Sequence, residues 1–136
     1  MIKIVKQWLP AFLMMVAIFY FSAIPAQEMP KFGSWDTLFK KSGHLLGYAI
    51  LAAAYLRGMH SLGWRAVSIA FIFAILYAVM DEFHQSFIPG RTSTFMDVGI
   101  DTIGSSLGLG VVTLIPALRK LIFQDCTGPE NREYPN

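Results

Sequence analysis

Apolar residues are gathered into four runs, at about 8–24, 43–56, 64–80 and 95–118, set apart by prolines, glycines and charges. A membrane-spanning helix needs about 20 largely apolar residues, with a range of about 17 to 25. The first, third and fourth runs reach that length directly. The second reaches it only by taking in Ser42 and residues 57–59, with Arg57 snorkelling to the headgroups. It is counted because a segment of this polarity has no better place than inside a bundle of membrane helices. Nothing breaks the third run before Pro89-Gly90, so its helix is prolonged to about Ser86. The expected helices are 8–24, 42–59, 64–86 and 95–118. This is an all-α, membrane-embedded four-helix bundle, one domain over 1–123 followed by a polar tail at 124–136.

Composition strengthens that picture. Charged residues make up 15% of the chain, against roughly 25% in soluble domains, which places it in a bilayer. The net charge of +2 is small and dispersed, and no basic stripe interleaves with aromatics, so a nucleic-acid partner is set aside. The single Cys126 can form no internal disulfide and has no ligand neighbours at metal spacing. Lys3 and Lys6 before an apolar run also begin a signal peptide, but Ile24 and Pro25 fit a cleavage site poorly and three more apolar runs follow. A retained helix is expected.

Orientation follows from the basic residues. Lys3, Lys6, Arg57, Arg65, Arg119, Lys120 and Arg132 fall on one side, and Lys31, Lys40, Lys41 and Arg91 on the other. The positive-inside rule then puts both termini and the tail in the cytoplasm and turns the loops at 25–42 and 81–94 outward. The first of these loops holds Phe32, Trp35, Leu38 and Phe39, so it lies either as a short interfacial helix or as a solvated loop.

Four of the nine acidic residues, Asp81, Glu82, Asp97 and Asp101, lie at the junction of the last two apolar runs, where charge is expensive. On the fourth helix Asp97, Asp101, Gly104 and Gly108 follow steps of four, three and four and share one stripe. The glycines of that stripe form a small-xxx-small pattern that lets a second helix approach, so the carboxylates point into the bundle. On the third helix Tyr77 and Asp81 share a face with either His84 or Gln85, and on the second His44, Tyr48 and Tyr55 form a stripe with its polar end outermost. One shared polar pocket at the outer end is the economical reading. Its candidates are His44, Tyr48, Asp81, Glu82, His84, Gln85, Arg91, Asp97 and Asp101, with Gly104 and Gly108 as packing positions. The alternative is a helix-packing network in which His44 pairs with Asp97 or Asp101 and Arg91 with Glu82. His44 and His84 with these carboxylates are ligand types suited to zinc or manganese. The histidine spacing matches no strong motif, so no metal and no cofactor is assigned.

The run Asp81-Glu82-Phe83-His84-Gln85-Ser86-Phe87-Ile88-Pro89-Gly90-Arg91 followed by Asp97 resembles the VanZ-like family of small bacterial membrane proteins, as do Phe21-Ser22-Ala23-Ile24-Pro25, His44 with Tyr48, and Gly104 with Gly108. The likeness runs from about residue 8 to 118. Two positions depart from the family pattern: Lys40 stands where an acidic residue is usual, and Asp101 where asparagine is usual. The resemblance implies a multi-pass protein of the bacterial cytoplasmic membrane. The family's namesake is linked to low-level resistance to teicoplanin, a lipoglycopeptide acting on cell-wall precursors at the outer surface. The expected role is to bind or modify an amphiphilic envelope molecule, with membrane lipids, a cell-wall precursor or a lipoglycopeptide as partner. Three other readings stay open: an enzyme hydrolysing or transferring a lipid headgroup, a small ion- or proton-coupled carrier, and an assembly subunit. Oligomeric state is left open.

Overall fold

A computed structural model of the chain describes residues 2–30 and 33–123. The expected tail at 124–136, with Cys126, and Lys31 and Phe32 of the first loop lie outside the described residues. The order of elements is α1 (Ile2–Ser22), a 3-10 turn (Gly33–Trp35), α2 (Asp36–Met59), α3 (Trp64–Gln85), α4 (Phe95–Leu114) and α5 (Pro116–Phe123). The architecture is all-α.

The ends of the helices differ from the expected ones for identifiable reasons. The helix expected over 42–59 begins at Asp36, six residues earlier. Asp36 places a carboxylate in the first turn, where negative charge complements the helix dipole. The segment holding Leu38 and Phe39, left open between interfacial helix and loop, is therefore the first turns of α2. The helix expected over 95–118 stops at Leu114. A proline at 116 has no amide to give and its ring crowds the carbonyl four residues back; Ile115 before it is extended, at φ −102° and ψ 105°. The chain restarts as α5 with Pro116 in the first turn, a position proline tolerates. That gives five α-helices among the described residues rather than four. The first helix, expected over 8–24, runs over Ile2–Ser22 instead, ending short of Pro25.

Three segments, Ile4–Ser22, Trp64–Gln85 and Phe95–Leu114, are long and apolar enough to cross a membrane. Helix α2 is not among them. With 24 residues it is about 36 Å long, but it carries Asp36, Lys40, Lys41, His44 and Arg57. It compensates by packing against α1, α3 and α4, burying Tyr48, Leu51, Ala52, Ala54, Tyr55, Leu56 and Gly58. Protein, rather than lipid, surrounds its middle.

The other helices divide their faces accordingly. The inner stripe of α3 is Ala66, Ala70, Ala74 and Ala78 at steps of four, continued by Asp81, Glu82 and Gln85. Its outward side chains Ile69, Ile72, Phe73, Leu76, Val79, Met80 and Phe83 are exposed. Such a surface suits hydrocarbon and is larger than soluble proteins tolerate. At the end remote from the carboxylates, the Trp8 ring lies 6.4 Å from that of Tyr55, which meets Phe73 edge-on at 5.8 Å. These rings fasten α1, α2 and α3 together.

The closest contact is between α2 and α4. A methyl group at Gly104 would collide with the carbonyl of Leu45, and one at Gly108 with that of Ala49. These are backbone atoms, so neither obstacle can step aside. Gly104→Ala and Gly108→Ala are expected to lower stability by about 1–3 kcal/mol each, the usual cost of overpacking. Gly99→Ala and Gly110→Ala, which meet nothing within 4 Å, should be neutral or gain up to about 1 kcal/mol from helix propensity. Thermal unfolding in detergent, followed by circular dichroism, checks the contrast; equal effects at all four positions would contradict it.

Candidate functional site

The antiparallel course of the four long helices brings the last turns of α1 and α3 to the first turns of α2 and α4. Near its start α4 presses on α2, and one turn before Gly104 it presents Asp101 to His44. His44 Nδ1 lies 3.2 Å from Asp101 Oδ1. Asp101 is 0% exposed, and its Oδ2 has no hydrogen-bond partner among the described residues. One turn further along α2, the Tyr48 ring stacks near that of His44 at 6.4 Å, fully buried, with its hydroxyl likewise unpaired. Of the two partners considered for His44, the structure selects Asp101.

A second knot joins α1 to α3. Ser22 donates to Asp81 Oδ2 at 2.9 Å, and Gln85 Nε2 donates to the same oxygen at 2.9 Å and to Ser22 Oγ at 3.1 Å. All three side chains are buried. Gln85 is thus the partner of Asp81 on its face of α3. His84 turns away and stacks on Phe19 with ring centroids 4.4 Å apart, beside Met80, Phe83 and Phe87. It stands apart from the His44–Asp101 pair.

Arg91 closes the second knot. Its Nε donates to the Ile24 carbonyl at 3.1 Å, its Nη2 to the Phe21 carbonyl, and its Nη1 to Gln85 Oε1 at 3.4 Å. A cation at the carbonyl end of α1 also complements the helix dipole. Arg91 therefore makes its hydrogen bonds to the end of α1 and to Gln85, and not to Glu82. Burial pushes its guanidinium down from the usual range while Asp81 and Glu82 hold it up; it remains charged. The turn that delivers Arg91 depends on Gly90, at φ +74°, where a methyl group would lie 2.7 Å from Gln27 Nε2.

Glu82 and Asp97 are held by the short link from α3 to α4. The Thr94 amide donates to Glu82 Oε2 at 3.1 Å, and the Ser93 hydroxyl to the Glu82 carbonyl at 2.8 Å. Thr94 Oγ1 donates to Asp97 Oδ2 at 2.7 Å, and Lys41 approaches Asp97 Oδ1 at 4.0 Å. Donor atoms of His44, Glu82 and Asp101 all lie within 4.8 Å of one another.

Beside these groups an open cleft of about 530 Å³ runs between α1 and α2. Met14, Ala17, Ile18, Leu46 and Ile50 make it apolar, and Asp36, Lys40, His44 and Arg91 supply polar and charged groups. The cleft was not singled out from sequence; Lys40 and Ser22 entered the reading of the site only through the family resemblance, Lys40 as a departure that alters charge at the pocket and Ser22 within the run that ends the first helix. The cleft left no signal, because it depends on which side of α2 receives α1.

Because three guanidinium nitrogens of Arg91 grip α1 and Gln85, Arg91→Lys should loosen the junction although charge is kept. The expected loss is on the order of 1–3 kcal/mol, with faster amide exchange across residues 22–26. Unchanged exchange there would count against the clamp.

A comparison with curated proteins found no match, and neither did one with solved structures. The VanZ/LLP1 family model matches residues 7–116, from the second turn of α1 to the end of α4, a stretch that holds every polar group of the site. The chain belongs to the VanZ/LLP1 family of membrane proteins.

Proposed function

We propose that this protein holds an anionic amphiphile of the bacterial envelope at the outer face of the cytoplasmic membrane. The apolar chain of the amphiphile lies in the α1–α2 cleft and its headgroup meets Lys40, His44 and Arg91. The observation that carries the reading is the cleft itself, largely apolar along its length, with the cations Lys40 and Arg91, one histidine and the single carboxylate Asp36 on its wall. Its volume of about 530 Å³ falls among small-molecule sites, which span about 300–1,000 Å³. A phospholipid, a lipid-linked cell-wall precursor and a lipoglycopeptide such as teicoplanin share the chemistry of apolar chain and polar head.

The orientation is part of the proposal. Arg57 and Arg65 lie at the end remote from the carboxylates, and with Lys3, Lys6 and the basic residues after α4 they favour the cytoplasm. The polar end then faces outward, where lipid headgroups and cell-wall precursors meet the membrane.

Gly43 lines the cleft, and a methyl group there meets nothing within 4 Å. Gly43→Leu should therefore keep the fold while filling the groove. In native mass spectrometry of the full chain released from phosphatidylglycerol vesicles, retained lipid should fall to background in this variant. Lys40→Gln should weaken phosphatidylglycerol binding roughly fivefold, since a lysine near an anionic surface contributes about 1 kcal/mol. Lipid retention unaltered by both substitutions would sink the reading. Competition by teicoplanin or by a lipid-linked precursor distinguishes which amphiphile is preferred.

A further inference from the structure

We infer that His44, Glu82 and Asp101 form a site for one divalent metal ion of the zinc or manganese type. They come from three different helices and offer donor atoms within 4.8 Å of one another. Bonds of about 2.0–2.2 Å from zinc to nitrogen and oxygen, at a tetrahedral angle, put neighbouring donors about 3.4 Å apart. His44 Nδ1 and Asp101 Oδ1 are 3.2 Å apart, a spacing that serves two ligands of one ion as well as a hydrogen bond. Bringing Glu82 to the same centre asks for a movement on the order of 1 Å, within reach of its flexible side chain.

A second observation points to a ligand. Asp101 is 0% exposed, yet its Oδ2 has no hydrogen-bond partner among the described residues. That oxygen shares its carbon with Oδ1, the oxygen that faces His44. A buried unpaired carboxylate oxygen is costly, and a metal ion satisfies it. Glu82 is 5% exposed and has one oxygen oriented by the Thr94 amide, the kind of outer hydrogen bond that fixes a ligating carboxylate.

Charge and ligand chemistry agree. Two carboxylates and a neutral imidazole neutralise a divalent ion, which suits a site enclosed by protein. One nitrogen and two carboxylates suit zinc or manganese, whereas calcium takes about 6–8 oxygens and soft copper(I) prefers sulfur. Three protein ligands leave coordination positions for a further oxygen, as open zinc sites do. Since His44 also lines the cleft, a headgroup oxygen is a candidate for one of them. That last clause rests on the amphiphile reading; the metal site does not.

The test uses the full chain in detergent, carrying Cys126→Ser to remove a competing thiol and treated with a chelator. It is titrated with Zn²⁺ by calorimetry and with Mn²⁺ by loss of the free-ion paramagnetic signal. The expected result is about one ion per chain, with His44→Gln, Glu82→Gln and Asp101→Asn each weakening binding by at least about tenfold. His60→Gln, at the far end of α2, should leave it unchanged. Asp101→Asn can fail to fold, so Glu82→Gln is the deciding variant: its amide oxygen can still accept from Thr94, and added Zn²⁺ should raise the melting temperature of the parent but not of this variant. Absence of saturable binding in the parent, or binding that survives Glu82→Gln and His44→Gln, would overturn the inference. So would failure of the ion to raise the parent's melting temperature. A working metal site without lipid retention would leave the metal standing and remove the amphiphile.

Discussion

The approach of α4 to α2 is the contact on which the other features depend. Lipid provides no hydrophobic force to press helices together, so close packing and polar contacts between helices must do so. Glycine at 104 and 108 lets α4 rest directly on the carbonyls of Leu45 and Ala49. With that separation fixed, Asp101 meets His44, and the first turn of α4 brings Asp97 towards Lys41. The same closeness explains how α2, the least apolar of the long helices, can stand among membrane helices. Its middle is covered by protein, with Tyr48, Leu51, Ala52 and Leu56 fully buried.

Helix α1 is held differently. Near the remote end it is secured by Trp8 packed on Tyr55 and Gly58. At the polar end it is held by Ser22 and by the Arg91 grip on its last carbonyls. Between these fastenings α1 and α2 leave the cleft open. Rigidity and openness are thereby divided: α2, α3 and α4 hold Glu82, Asp97 and Asp101 in place, while an open, largely apolar cleft lies between α1 and α2. The two carboxylate knots also have different tasks. Asp81 and Asp101 each keep one buried oxygen without a hydrogen-bond partner among the described residues, but the other oxygen of Asp81 is tied by Ser22 and Gln85, whereas that of Asp101 faces His44, beside Glu82.

Periodicity alone revealed much of this site. Steps of four and three placed Asp97, Asp101, Gly104 and Gly108 on one stripe, and that stripe is the one that meets α2. The stripe His44, Tyr48 and Tyr55 was legible for the same reason. Gln85 and His84 were not separable, because adjacent residues on a helix both lie near the face of Asp81; the contact with Ser22, far away in sequence, decides between them. The stop at Ile115 was written in Pro116, but the continuing apolar run masked it. The start of α2 was hidden by the opposite effect, since Lys40 and Lys41 interrupt hydropathy without interrupting helix. The Arg91 clamp was beyond the sequence because two of its three partners are backbone carbonyls, which carry no residue signature.

The central claim is that the α1–α2 cleft houses an amphiphile whose headgroup lies at the polar end. The most direct measurement is an experimental structure of the full chain in nanodiscs containing anionic phospholipid. Elongated density is expected along Met14, Ile18 and Leu46, ending between Lys40 and Arg91, with His44 and Asp101 still in contact. A cleft closed by α1 moving onto α2, or ordered lipid only on the outward faces of α3 and α4, would contradict it.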